Sequence, residues 1–431
     1  MSAGNPMRGS VLGVGERAMI LFENCRLFDG LGSELRDGHH VLVEGERIRE
    51  VSDRPIKVSG AEVIDLKGRT LMPGLIDAHF HAMAADPDFT KMEGLPRSYL
   101  HQHARHLLEA ALKRGFTTVR DAGGADYGLA MAVKAGLIEG PRLFYAGRAL
   151  TQTGGHADFR GLEAGPMGSS GDYCFCSQSG PIFGVIADGV PAVQKAAREE
   201  LRRGATQIKI MASGGVSSPS DPIWNLQYSE DEIRAIVWEA QSWRTYVMAH
   251  AYTPEAIARC VAFGVRSIEH ANLIDAATAK LCAEAGAYVV PTLVTYQMLE
   301  RFGAELGLPA VGLEKLKVVR AAGVQSLEIL KAAGVSVGFG TDLLGAMQEH
   351  QSHEFAIRAE VLSPAEILRS ATSVNAALLN AEGELGVVAP GAYADLLVVD
   401  GDPLADLALL EGQGARMPVI MKGGSFCKRA L

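Results

Sequence analysis

Residues 71–81 read Leu-Met-Pro-Gly-Leu-Ile-Asp-Ala-His-Phe-His, an apolar run that ends in two histidines one residue apart. Side chains alternate between the two faces of a strand, so His79 and His81 lie on the same side. Imidazole is a standard ligand of Zn²⁺ and similar ions. The stretch predicts a buried strand whose carboxyl end carries a metal-binding pair, although an H-x-H motif alone is weakly specific.

Seven further apolar segments follow this strand and alternate with helical patterns. Capping boxes begin helices at Ser229 and Ser363, and Pro254 occupies a first helical position. Eight strand–helix units in series predict an α/β fold, a closed (β/α)₈ TIM barrel of parallel strands. An open doubly wound sheet is the alternative, but no G-x-G-x-x-G motif opens any helix. The predicted strands are residues 74–79, 117–120, 142–146, 207–211, 246–249, 267–269, 288–291 and 336–340.

The two chain ends are rich in short alternating runs with Gly and Asp turns, which predict antiparallel strands. Neither end has enough apolar surface to fold alone. We expect residues 19–73 and 383–431 to form one small β-sandwich domain, with the barrel, residues 74–382, inserted between them. Residues 1–18 are Gly-rich and read as a flexible leader. The long Gly- and Ser-rich connection 151–187 is expected to be a functional loop or lid on the catalytic face.

Barrel enzymes carry their reactive groups at the carboxyl ends of strands. At those positions the chain has, besides the histidine pair, Lys209, His250, His270 and Asp342. Singly, each reads as a polar rim residue, but together they indicate a metal site. Lysine has no lone pair to offer as an ammonium. It becomes a ligand only if CO₂ converts it to a carbamate, whose two oxygens can bridge two cations.

Composition narrows the class of protein. The 431 residues are 48% hydrophobic and 21% charged, with a net charge of −9, so a nucleic-acid or anionic-membrane partner is not expected. No segment has the length of a membrane span, and no secretory signal is evident. The six cysteines are scattered, and the closest pair is Cys174 and Cys176. This usage predicts a reduced, cytoplasmic location.

At this point the sequence resembles the amidohydrolase superfamily over essentially its whole length. The matching residues are the 71–81 stretch, Lys209, His250, Ser-Ile-Glu-His270, Gly-Thr-Asp342 and the C-terminal stretch 383–399. The resemblance implies two divalent metal ions, with Zn²⁺ expected. It implies that His79, His81 and Asp342 hold the more buried ion, that His250 and His270 hold the more exposed one, and that carboxylated Lys209 bridges them.

A mechanism follows from this ligand set. Two close divalent ions make a bridging hydroxide available near neutral pH, and this hydroxide attacks the substrate carbonyl. Asp342 is expected to act as the catalytic base, taking the proton of the water and passing it to the leaving nitrogen.

Within the superfamily the chain is similar to the imidazolonepropionase-like group, which includes Xaa-Pro and Xaa-Arg dipeptidases, and to amidohydrolases of ochratoxin A. The resemblance implies cleavage of an amide beside a C-terminal amino acid, with His156 and Tyr228 binding the substrate. Asp121 either orients a ligand or ties down a turn. Four aromatic residues wall an apolar pocket or simply pack in the core: Phe159, Phe183, Trp224 and Tyr296.

Other functions remain open. A cyclic-amide hydrolase would use the same metal site. A deaminase is disfavoured, because His250 is followed by Ala-Tyr-Thr and the H-x-x-E motif is absent. A non-catalytic barrel scaffold ranks low, since all six metal ligands are present. The expected partner is a small-molecule amide or peptide, and the resemblance favours a homo-oligomer.

Overall fold

The computed structural model describes residues 19–160, 181–218, 221–308 and 310–431. The predicted leader 1–18 lies outside these ranges, as do Cys174, Cys176 and most of the predicted lid. The described cysteines are free thiols, three of them buried. Within the described ranges, no helix combines the length and the hydropathy that crossing a membrane requires.

Strands and helices alternate through the middle of the chain. The strands are β1 (Met19–Leu27), β2 (Arg36–Glu44), β3 (Arg47–Ser52), β4 (Glu62–Asp65), β5 (Thr70–Pro73), β6 (Leu75–Phe80), β7 (Phe116–Asp121), β8 (Arg142–Tyr145), β9 (Ala149–Thr151), β10 (Gly184–Ile186), β11 (Ile208–Met211), β12 (Val247–Ala251), β13 (Ser267–His270), β14 (Tyr288–Val290), β15 (Ser336–Val337), β16 (Leu396–Val399), β17 (Val419–Lys422) and β18 (Ser425–Arg429). The helices are α1 (Phe89–Glu93), α2 (Arg97–Lys113), α3 (Tyr127–Lys134), α4 (Val190–Arg202), α5 (Glu230–Ser242), α6 (Pro254–Ala262), α7 (Ala276–Glu284), α8 (Leu293–Phe302), α9 (Ala310–Ala333), α10 (His353–Arg358), α11 (Pro364–Arg369) and α12 (Asn375–Leu378).

Both chain ends contribute to one eight-stranded sheet. Its order is β18-β17-β16-β5-β1-β2-β3, with β4 paired to β1. The C-terminal β16 pairs antiparallel with β5, placing Leu397 opposite Met72, and this pairing joins the two ends. The inward side chains are apolar and form a separate cluster of buried residues. The ends therefore meet as expected, whereas the two-layer sandwich and the domain limits stay predictions.

The middle of the chain forms two parallel sheets. One has the order β10-β9-β11-β12-β13-β14-β15 and the other β6-β7-β8. Backbone hydrogen bonds join both edge strands of the smaller sheet to residues that lie next to strands of the larger one, Phe339 after β15 and Thr206 before β11. The Ala78 amide donates to Phe339 over 2.8 Å, and the Thr206 amide donates to Tyr145 over 2.9 Å. The parallel α/β fold is confirmed, and its closure into a barrel stays a prediction.

The structure has a strand at each of the eight predicted positions, and both predicted capping boxes are formed. The connection 151–187 includes strand residues that the sequence did not predict. Its first residue is the last residue of β9, and β10 lies inside it. The strand that pairs with β11 is β9, not the predicted strand β8. Strands β9 and β10 have three residues each, too few for the alternation that reveals a strand in sequence. Residues 161–180 of the predicted lid lie outside the described ranges.

Gly74 connects the eight-stranded sheet to the first parallel strand through a close backbone approach. Its amide donates to the carbonyl of Asp395 over 2.8 Å. A Cβ atom at this position would lie 2.0 Å from the hydroxyl oxygen of Thr117. The side chain of Thr117 on the neighbouring strand therefore leaves room only for glycine at position 74.

We expect Gly74→Ala to lower stability by about 1–3 kcal/mol, because the added methyl group forces β6 and β7 apart. The measurement is the midpoint of urea denaturation followed by circular dichroism. Gly32→Ala is the control, since its Cβ would meet nothing closer than 3.5 Å and its φ is not positive. Equal midpoints for the two variants would contradict the steric account.

Candidate active site

The predicted ligands gather where the parallel strands end. His79 and His81 lie at the end of β6, Lys209 in β11, His250 in β12 and His270 at the end of β13. A cleft opens at this edge. Seven of the eight predicted site residues line it: His79, His81, His156, Lys209, His250, His270 and Asp342.

Asp342 lies among three of the histidines. Its Oδ1 is 3.4 Å from His79 Nε2 and 3.1 Å from His81 Nε2. Its Oδ2 is 3.9 Å from His270 Nδ1. Burial alone would raise the pKa of this carboxyl, but His79, His81 and His270 hold it well below its usual range. Three groups, His79, His270 and Asp342, offer ligand atoms that all lie within 4.8 Å of one another, close enough to share one metal ion.

The backbone at this cluster is strained. His270 has a φ of 75° and Asp342 a φ of 53°, in the left-handed region that side chains other than glycine rarely adopt. Such conformations persist only where the surrounding structure imposes them, and they concentrate at functional sites. Both side chains are thereby turned toward the cleft.

Glu269 fixes the orientation of His79. Its carboxylate accepts a hydrogen bond from His79 Nδ1 over 2.7 Å, which leaves Nε2 facing Asp342. The same carboxylate binds the Arg120 guanidinium at 2.9 and 3.1 Å, and both side chains are fully buried. Burial would raise the pKa of Glu269, but Arg120 and His79 lower it to about 2. This pair contributes stability above pH 4.5, the ordinary pKa, and that stability is lost as pH falls toward 2.

Asp121 shapes the loops beside His81. Its carboxylate accepts hydrogen bonds from the amides of Ala82, Gly123 and Ala125 at 2.7, 2.9 and 3.1 Å. The carbonyl of Gly123 in turn lies 3.1 Å from His81 Nδ1. Asp121 does not line the cleft. These contacts agree with the prediction that Asp121 stabilises a turn. That turn in turn orients His81, one of the predicted metal ligands.

Lys209 is an unusual lysine. It is only 2% exposed, lines the cleft, and has no hydrogen-bond or ion-pair partner within the described ranges. Burial lowers its pKa to about 8, against the opposing effect of Glu269 and Asp342. A substantial fraction of the amine is therefore neutral near pH 8, which is the form that reacts with CO₂.

His250 and His156 stack on one wall of the cleft with ring centroids 4.3 Å apart. His250 Nε2 lies 3.2 Å from the carbonyl of Gly214, so Nδ1 is the nitrogen that remains for a ligand. His156 Nδ1 lies 3.3 Å from the buried carboxylate of Asp221. Burial, reinforced by His156, lowers the pKa of His250 well below its usual range. His250 is therefore a neutral imidazole, as metal binding requires.

Tyr228 is not brought into the cleft. Its side chain belongs to a buried apolar cluster that includes residues of α5, and its hydroxyl is buried with no hydrogen-bond partner in the described part of the chain. Trp224 is 74% exposed and also lies outside the cleft lining. The other predicted aromatic residues, Phe159, Phe183 and Tyr296, do line it.

Sequence reasoning missed four contributors: Phe89, Arg120, Tyr252 and Glu269. Phe89 stacks on Phe159 at 4.7 Å and meets Phe183 edge-on at 5.0 Å, forming an aromatic wall beside His81. Arg120 and Glu269 had a detectable signal, since each is a charge inside an apolar strand. The two aromatic residues had none, because an aromatic side chain near a strand end usually packs in the core.

The fold and the cluster together define an α/β enzyme with a His/Asp group able to hold a metal ion. The chain belongs to the amidohydrolase family, whose model matches residues 70–425. This membership makes it a hydrolase acting on C–N bonds, in a family that generally uses divalent metals.

Individual relatives agree with this assignment. Ochratoxinase of Aspergillus niger is 32% identical over 368 residues, which cover 83% of this chain and 75% of that protein. A solved amidohydrolase structure is 54% identical with a TM-score of 0.93, covering 96% of this chain and 99% of its own. The structure of a prolidase complexed with N-methylphosphonate-L-proline is 51% identical, with a TM-score of 0.91. The match covers 96% of this chain and 100% of that one. The predicted resemblance is thus confirmed.

We expect Arg120→Met to lower stability by about 3–5 kcal/mol, because it leaves the Glu269 carboxylate buried without its cation. The measurement is the denaturation midpoint in urea at neutral pH. Arg105→Met is the control, since Arg105 pairs with Glu109 on the exposed face of α2 and such pairs contribute about 0.3–0.5 kcal/mol. A loss no larger than in the control would contradict the role of Arg120.

Proposed function

We propose that this protein is a binuclear metal-dependent amidohydrolase that cleaves an amide bond next to a C-terminal amino acid. The observation that carries the proposal is the carboxylate of Asp342 lying within 3.1–3.9 Å of three imidazoles at the floor of the cleft. Prolidase and ochratoxinase relatives support the reaction class.

The donor set fits two divalent ions of the zinc type. His79, His81 and Asp342 would hold one ion, and His250 and His270 the other. Burial lowers the pKa of both His250 and His270, which keeps these rings neutral, and Asp342 is ionised. Lys209 would bridge the ions as a carbamate, which its burial, lowered pKa and lack of a partner favour. When bound, such ions lower the pKa of water and polarise a carbonyl group.

Asp342 has the position of the proton carrier. Its side chain lines the cleft, and its low pKa keeps the carboxylate unprotonated before reaction. It accepts a proton from the attacking water and delivers it to the amide nitrogen as the C–N bond breaks. The surrounding imidazoles hold it in this position.

The cleft walls favour an apolar or aromatic substrate. Phe89, Phe159 and Phe183 form one wall, and Tyr252 and Tyr296 contribute to another. We infer that N-acyl amino acids such as ochratoxin A, or dipeptides, fit this shape. His156 would contact the substrate from the wall. Tyr228 is proposed to contribute by family resemblance, which requires its buried hydroxyl to reach the cleft.

We also infer that the two parallel sheets close into a (β/α)₈ barrel over residues 74–382. The hydrogen bonds at both edges of the β6-β7-β8 sheet support this closure. Residues 19–73 and 383–431 would form the proposed β-sandwich domain, which their shared sheet supports.

We expect the zinc-loaded protein to release phenylalanine from N-acetyl-L-phenylalanine, and C-terminally amidated substrate to react at least about tenfold more slowly, a loss of roughly 1.4 kcal/mol in transition-state binding. Amine release is the measurement. The control is Asp342→Asn, which should lower kcat by about 10²–10⁴-fold because the proton carrier is lost. Equal rates on free and amidated substrates would reject the C-terminal preference, and turnover of hydantoins alone would favour a cyclic-amide hydrolase.

We expect Lys209→Ala and Lys209→Arg to lose bound zinc, because neither side chain can form a carbamate. Elemental analysis of protein purified with zinc and bicarbonate is the measurement, with Lys331→Ala as a surface control. Zinc uptake by the wild-type apoprotein should be faster above a pH of about 8, where the Lys209 amine is mostly neutral, than below it. Full zinc content in Lys209→Arg would contradict the bridge.

A further inference from the structure

Tyr252 places a hydroxyl group beside the candidate metal ligands. It follows β12, its ring centroid is 4.7 Å from that of His250 and 5.3 Å from that of His270, and it lines the cleft. Its hydroxyl accepts a hydrogen bond from the hydroxyl of Tyr296 over 3.0 Å. Within the described ranges this is the only hydrogen bond of the Tyr252 hydroxyl, so its own proton has no acceptor.

The hydrogen bond between the two tyrosines belongs to a series of polar groups that begins at His270. His270 Nδ1 lies 2.8 Å from the Thr292 hydroxyl. The Thr292 hydroxyl also interacts with Tyr296, and Tyr296 donates to Tyr252. Tyr252 is the member of this series whose hydroxyl proton has no acceptor in the described part of the chain, and it lines the cleft.

Tyr252 and Tyr296 are hydrogen-bonded to each other in the wall of the cleft. Both side chains are only 2% exposed, which fixes their rings and excludes competing water. A fixed, desolvated donor stabilises developing negative charge far better than one in water.

We propose that Tyr252 binds the substrate, donating its hydroxyl hydrogen bond to the oxygen of the scissile carbonyl, and that Tyr296 and Thr292 are positioning residues. This inference rests on the proposed amide hydrolysis. As the water oxygen bonds to the carbonyl carbon, the π electrons move onto the carbonyl oxygen and one water proton goes to Asp342. The electrons return as the C–N bond breaks and the nitrogen takes that proton. Tyr252 keeps its proton throughout.

This assignment distinguishes Tyr252 from Tyr228. The hydroxyl of Tyr228 is buried and its residue does not line the cleft, whereas the ring of Tyr252 packs against two of the candidate ligand rings. The hydrogen bond should strengthen as charge develops on the oxygen. Removing it should therefore lower kcat more than it raises KM.

The experiment compares Tyr252→Phe, Tyr296→Phe and Tyr145→Phe in the zinc-loaded full-length protein. Tyr145→Phe is the matched control, because it also deletes a buried hydroxyl, one that donates to the carbonyl of Arg203 away from the cleft. The probes are N-acetyl-L-phenylalanine for kinetics and N-methylphosphonyl-L-phenylalanine, tetrahedral at phosphorus, for binding by calorimetry. Zinc content is measured in every variant.

We expect Tyr252→Phe to lower kcat by roughly 10²-fold and to weaken phosphonate binding similarly, with KM and zinc content near wild type. Tyr296→Phe, which keeps the Tyr252 hydroxyl but loses its partner, should lower kcat by about tenfold. The inference would be overturned if Tyr252→Phe had the same kcat and phosphonate affinity as Tyr145→Phe. It would also be overturned if Tyr252→Phe lost its zinc. If wild-type protein neither hydrolyses the amide nor binds the phosphonate, the proposed function itself fails.

Discussion

The buried ion pair between Arg120 and Glu269 is the constraint on which the site depends. Arg120 also donates to the carbonyl of Ala78 over 2.5 Å, so one guanidinium joins β6, β7 and β13. A buried charge is costly unless it is paired and hydrogen-bonded. Glu269 therefore has few alternative positions. The ring of His79 also has few alternative positions, because it is hydrogen-bonded to that carboxylate.

A second carboxylate couples the two ends of the site. Asp77 accepts hydrogen bonds from the His79 amide at 3.0 Å, the Thr341 hydroxyl at 2.6 Å and the Gln351 amide at 2.8 Å. It thus connects the β6 strand end to the residue preceding Asp342. Together with Asp121, it shows that the loops at the cleft are positioned by buried carboxylates that do not line the cleft. Such supporting groups hold reactive side chains in position to within fractions of an ångström.

The cleft combines this polar floor with largely apolar walls. The wall beside His81 is formed by three phenylalanines, Phe89, Phe159 and Phe183. The wall beside His270 is formed by Tyr252 and Tyr296. Low polarity strengthens every electrostatic interaction at the floor and lowers the pKa of Lys209 and His250. Under the proposed function, the same environment would suit both metal binding and an apolar amide substrate.

By itself the sequence determined the parallel α/β order, the eight main strands and seven of the residues that line the site, since alternation and the strand-end position of His, Lys and Asp are local signals. Only the tertiary structure decided that β9 and β10 exist, that Glu269 and Arg120 hold His79, and that Tyr252 faces the cleft while Tyr228 does not. The reason is physical. These features depend on pairing between residues far apart in the chain, and a tyrosine near a strand end has the same local pattern whether its hydroxyl faces a core or a cavity.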